Sequence, residues 1–147
     1  MNLIKSVVTV LLLCGSTAFA ESIKVDGGYI FQPLKGTNAT AGYGVIKNLT
    51  DKEVTLKVVS AEGFKAVELH ETSSVDGRMQ MQKVDQFKIE KNGSFELKPG
   101  GFHVMLFDAT RKFKENDTVS MSFKLDEKDV SIPFKIKLRN KAAEHTH

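Results

Sequence analysis

Soft donor groups are scarce in this sequence: one Cys, five Met and four His among 147 residues, with no Trp, two Tyr and three Pro set against ten Phe. A single cysteine excludes an internal disulfide and a Cys-x-x-Cys redox pair. Neither sign of charge dominates. Lys and Arg number 21 and Asp and Glu 18, for a net charge of +3 with no dense basic run, so the clustered positive charge that nucleic acid demands is missing. No apolar run approaches the roughly 20 residues of a membrane-spanning helix. Also absent are a Gly-x-Ser-x-Gly elbow, a His-Glu-x-x-His helix and a phosphate loop, and Gly42-Tyr43-Gly44 is too short a glycine pattern to mean a nucleotide. The reading is therefore not of an enzyme. What is present, 41% hydrophobic and 27% charged residues, suits one soluble globular domain.

Residues 1–20 read as a secretory signal peptide. A cationic start at Lys5 precedes an apolar run from Val7 to Leu13, and the small residues of Ala18-Phe19-Ala20 place cleavage before Glu21. Cys14 follows the bulky Leu13 where a lipidation site wants a small residue, which argues against a lipid anchor. Cleavage leaves a mature chain with no cysteine, so any metal must be held by nitrogen, oxygen or thioether.

From there the pattern has a period of two, the signature of strands with one core face and one wet face. It is clearest in Val119, Met121, Phe123 and Leu125, and in Val130, Ile132, Phe134, Ile136 and Leu138. Earlier strand candidates are 29–32, 41–47, 54–59, 66–71, 79–84, 87–90, 94–97 and 102–107. Turn chemistry separates them at 48–52, Asp76-Gly77, Asn92-Gly93 and Pro99-Gly100-Gly101, and residues 126–129 read as a hairpin turn. No amphipathic helix longer than about two turns is visible. Many short strands predict an all-β sandwich or barrel with Greek-key connections, with Pro133 at an edge or bulge. The expected organisation is a β-sandwich domain over 21–140 and a flexible tail over 141–147. The Asn-x-Ser/Thr sites at Asn38, Asn48, Asn92 and Asn116 read as turn asparagines.

Met121 lies in an apolar row and reads as core. His103 and Met105 are out of phase with Phe102, Val104 and Leu106, and His70 is out of phase with Val67 and Leu69, which assigns them to the wet face; Met79 and Met81 share a face around Gln80. A His and a Met two residues apart on one strand reach the same point in space. Spacing alone does not decide between a metal site and coincidence. The chemistry of such a set is narrow, since neutral thioether sulfur selects Cu(I) over Zn²⁺, Ca²⁺ or Mg²⁺. A blue-copper electron-transfer site would also need a cysteine thiolate.

Ten residues separate His70 from Met81, twenty-one separate Met81 from His103, and one separates His103 from Met105. This spacing, with Val67-Glu68-Leu69-His70, Met79-Gln80-Met81 and the run Leu97 to Leu106 around it, resembles the motif of the periplasmic copper chaperones called PCuAC, over about residues 43–138. The resemblance implies a cupredoxin-like Greek-key β-sandwich, monomeric and periplasmic, that binds one Cu(I) through His70, Met81, His103 and Met105. It implies delivery to a copper-accepting periplasmic protein or oxidase subunit domain, notably the dinuclear copper centre of cytochrome c oxidase. Many relatives have Met directly after the first His, where this chain has Glu71. Met79 is an auxiliary candidate. Some relatives carry a His- and Met-rich C-terminal extension that handles Cu(II); His145 and His147 resemble it in miniature, although a plain tail is the preferred reading. Copper scavenging or storage, and a non-metal adhesion or assembly module, are the alternatives.

Overall fold

A computed structural model describes residues 21–139. The signal-peptide reading and the tail reading therefore lie outside the described residues, His145 and His147 included. Ten strands account for the regular structure: β1 (Ile23–Phe31), β2 (Ala39–Asn48), β3 (Val54–Ala61), β4 (Phe64–Val75), β5 (Arg78–Val84), β6 (Phe87–Ile89), β7 (Ser94–Leu97), β8 (Phe102–Ala109), β9 (Thr118–Leu125) and β10 (Lys128–Lys137). No helix occurs among the described residues.

The strands follow the path β5-β4-β8-β2-β1-β10-β9-β3-β6, with β7 added to β2 beside the end of β8. β1 joins the halves. It pairs antiparallel with β2 along its length but parallel with β10 only at Tyr29 to Phe31, after a bulge between Asp26 and Tyr29. The path folds over on itself, so that Phe87 of β6 and Phe95 of β7 stack with centroids 4.1 Å apart. The result is a cupredoxin-like β-sandwich whose non-sequential neighbours are joined by crossing connections of Greek-key type.

Alternation builds one core between the layers. Ile30, Ile46, Leu69, Val104 and Leu106 come from one side and Leu56, Val119, Met121, Phe123, Phe134 and Ile136 from the other, all buried. The Asp76-Gly77 and Asp126-Glu127 turns form two-residue hairpins, and Asp76, Gly77 and Asp126 all have positive φ. Pro133 pairs with Ser120 on β9, while β10 meets β1 only from Lys135 onward. Its other flank is thus a local edge, as a residue without an N–H requires. The sequence pattern undershot two strands by six residues each, β1 at its start and β4 at both ends. β4 runs on through Thr72-Ser73-Ser74-Val75 because each of these residues has a ladder partner on β5.

A candidate metal centre on the β5-β4-β8 face

Strand register places the proposed ligands. Across β4 and β8, His70 pairs with His103 and Glu68 with Met105; across β4 and β5, His70 pairs with Lys83 and Thr72 with Met81. Partners in a ladder project from the same face, so His70, Met81, His103 and Met105 share one side of the sheet while Leu69, Val104 and Leu106 fill the core. Met81 and Met105 are each diagonal to His70, a relationship within reach of long side chains. The two imidazoles lie 5.9 Å apart between centroids, inclined by 58°.

This face is not uniformly wet, which corrects the sequence expectation. Met81 is 55% exposed because β5 is an edge strand, but Met105 is half-buried and His103 only 4% exposed. The reason is position: β8 runs between β4 and β2, and Tyr43 on β2 lies 6.3 Å from the His103 ring while Phe107 lies 6.3 Å from that of His70. Tyr43 continues into an aromatic cluster with Tyr29 and Phe31, which Lys137 and Arg139 cap at 4.9 Å each. Burial pushes the Tyr43 hydroxyl pKa up. Sequence reading missed this cluster, although the spacing of Tyr29 and Phe31 on one strand was its signal. Glu71 is next to His70 and so turns to the opposite face, where its carboxylate accepts a hydrogen bond from Gln82 at 3.2 Å. Met79 shares the face of Met81, two ladder pairs further out opposite Ser74, and is 65% exposed.

The histidines are held by different groups. The Glu68 carboxylate lies 2.8 Å from His70 Nε2 and accepts a second hydrogen bond, 2.9 Å long, from Lys83 Nζ. These two partners, His70 first, hold the Glu68 pKa below the ordinary carboxylate range. His103 Nδ1 lies 3.1 Å from the Gly101 carbonyl oxygen. One nitrogen is left over: His70 Nδ1 is buried without a hydrogen-bond partner. Among the described residues no group of three or more His, Cys, Asp or Glu could hold a metal. Two imidazoles with two thioethers form a neutral set of the kind that suits a soft monovalent cation.

The family model described as "Putative lipoprotein LpqE-like" matches residues 23–136. The chain belongs to the LpqE-like family. Among curated relatives of this LpqE-like chain, "Putative lipoprotein Lxx21020" of Leifsonia xyli is 23% identical over 120 residues, covering 79% of this chain and 71% of its own length. "Uncharacterized protein RP573" of Rickettsia prowazekii is 30% identical over 89 residues, or 60% of this chain and about half, 49%, of its own. Solved structures of similar fold include the apo PCuAC domain from PmoF1, with a TM-score of 0.62 and 21% identity over 81% of this chain and 96% of that one. The copper-bound PCuAC domain from PmoF2 gives 0.61 and 20% over 81% and 95%. Cu(I)-bound DR1885 from Deinococcus radiodurans gives 0.61 and 22% over 86% and 84%. At these identities the likeness is one of fold.

Proposed function

We propose that this chain is a periplasmic copper chaperone that binds one Cu(I) through His70, Met81, His103 and Met105. The observation that supports the reading is that strand register puts these four neutral donors on one sheet face, where His70 also keeps a buried ring nitrogen without a partner. Two of the structures of similar fold hold copper, one of them Cu(I), which supports it. Thioether and imidazole leave the ion's single charge uncompensated, so an acceptor with thiolates draws it away down a gradient of affinity, and no catalysis is required. The acceptor in this reading is a periplasmic protein such as the dinuclear copper domain of cytochrome c oxidase. Cu(II) at His145 and His147 is a separate and weaker expectation.

Export through residues 1–20 belongs to the same reading. The family's description as a lipoprotein brings Cys14 back as a second route. The mass of the exported protein separates them: a chain beginning at Glu21 supports cleavage after Ala20, and an acylated chain beginning at Cys14 overturns it.

The test of copper binding is titration of the purified protein with Cu(I) against a competing chelator. One equivalent bound, lost on combined His103→Ala and Met105→Ala substitution, supports the proposal. Failure to bind, or binding indifferent to that pair of changes, rejects it.

A further inference from the structure

We propose that Glu68 is a positioning residue that selects which nitrogen of His70 is offered to the metal. The metal-binding part of this role rests on the copper reading; the tautomer does not. A carboxylate accepts and does not donate, so the 2.8 Å contact between Glu68 Oε2 and His70 Nε2 places the imidazole proton on Nε2. The lone pair is then on Nδ1, the buried nitrogen that no protein group satisfies. The other Glu68 oxygen is taken by Lys83 Nζ at 2.9 Å. Glu68 is thereby fixed from β5, two residues beyond Met81 and directly across from His70.

His103 is set the opposite way. A carbonyl oxygen also only accepts, so the contact with Gly101 at 3.1 Å puts the proton on Nδ1 and leaves Nε2 as the donor nitrogen. The two histidines thus keep their lone pairs on different ring atoms, Nδ1 of His70 and Nε2 of His103, in rings whose centroids lie 5.9 Å apart. A carboxylate hydrogen-bonded to the far nitrogen of a metal-binding imidazole fixes its orientation and raises its basicity, and removing it commonly weakens metal binding 10–100-fold. Glu68 stands in that relation to His70, with one oxygen on Nε2 and the other on Lys83 Nζ.

Long-range ¹H–¹⁵N spectra of the metal-free protein read the tautomers directly. Expected are a protonated Nε2 and a bare Nδ1 on His70, and the reverse on His103; Cu(I) then shifts His70 Nδ1 and His103 Nε2. In Glu68→Gln the side-chain carbonyl still accepts from Nε2, so tautomer and affinity persist. In Glu68→Ala the His70 tautomers mix and Cu(I) affinity falls by about 10–100-fold. A proton on His70 Nδ1 in the unsubstituted protein overturns the assignment, and that measurement depends on no variant folding. If Glu68→Ala binds Cu(I) unchanged while His70→Ala does not bind, the positioning role fails and the copper reading stands. If the tautomers are as described but no Cu(I) is taken up, the copper reading fails and the tautomer assignment stands.

Discussion

His70 and Met81 sit on adjacent strands two ladder pairs apart, His70 with a buried ring nitrogen and Met81 with more than half its surface in solvent. Substitution of Met81 therefore removes a proposed ligand and almost no packing. Met81→Ala is expected to leave stability within about 0.5 kcal/mol, as exposed substitutions usually do, while Cu(I) is lost to a weaker chelator than the unsubstituted protein withstands. Denaturant unfolding and chelator competition on the same sample check both halves. An unchanged Cu(I) affinity removes Met81 from the site.

Met121 makes the contrast. It is fully buried on β9 among Phe123, Ile132 and their neighbours. Met121→Ala should cost about 2–5 kcal/mol through lost burial and the cavity left behind, with Cu(I) stoichiometry intact. The readout is the urea midpoint beside the copper titration. A drop in stoichiometry in the folded variant would mean that the two methionine classes are not separate.

Those classes were legible because alternation alone tells Met121 from Met105. The phase of Val104 and Leu106 placed His103 and Met105 on the outer face correctly, yet it carried no information on what covers that face. Burial of His103 depends on β2 being the neighbour of β8, a pairing between residues 39–42 and 104–107 that joins elements with five strands between them in the chain. Register across β4, β5 and β8 was likewise invisible, and with it the Glu68 contact, although Val67-Glu68-Leu69-His70 was read as a motif. The glycines of Gly42-Tyr43-Gly44 have a steric reason that the sequence did not show. A Cβ on Gly44 would lie 2.9 Å from Gly28 Cα, at the bulge of β1.

Gly44 consequently tolerates little. Its φ of +152° is unfavourable for a side chain, and the atom it would strike is backbone. Gly44→Ala is expected to destabilise the protein by about 1–3 kcal/mol through overpacking, whereas Gly36→Ala meets no atom within 4 Å and strains only its own φ of +85°. Thermal unfolding of the two variants ranks them. Equal losses would mean that backbone strain and not the approach of β1 to β2 sets the cost.

Asn48 is one of the four Asn-x-Ser/Thr positions, and its role differs from that of Asn92 and Asn116, which adopt positive φ. It is 1% exposed at the end of β2. Its amide donates to the carbonyls of Lys52, Ile89 and Glu90, and its carbonyl accepts from the Thr50 backbone and hydroxyl. It ties the β2–β3 loop to the end of β6. Asn48→Ala leaves these partners unsatisfied and should cost about 1–3 kcal/mol, while Asn92→Ala loses only local turn preference. Hydrogen exchange should show the Thr50 amide losing protection in Asn48→Ala; retained protection would show that another group satisfies it.

Three carboxylates have their pKa lowered in the folded chain. The Asp26 pKa is lowered by Lys47 and Lys24. That of Glu68 is lowered by His70 and Lys83. That of Asp117 is lowered by the Lys114 backbone N–H and then by Arg111. In each case the folded value lies below the unfolded one, so the unfolded chain binds protons first as pH falls. The stabilisation is complete above the ordinary carboxylate values of about 4 and is lost as pH drops through the lowered folded values. All three sites are solvent-accessible, so each contribution is modest, and that of Asp26, which rests on two exposed lysines, should shrink further in salt. The expected profile is a melting temperature flat from pH 7 to about 5 that then declines, with a shallower decline in Asp26→Asn at low salt and in Asp117→Asn at any salt. The difference follows from Asp117 receiving a backbone N–H at 2.9 Å, a contact that charge screening does not remove. A decline equally steep in both variants would show that other carboxylates govern acid unfolding.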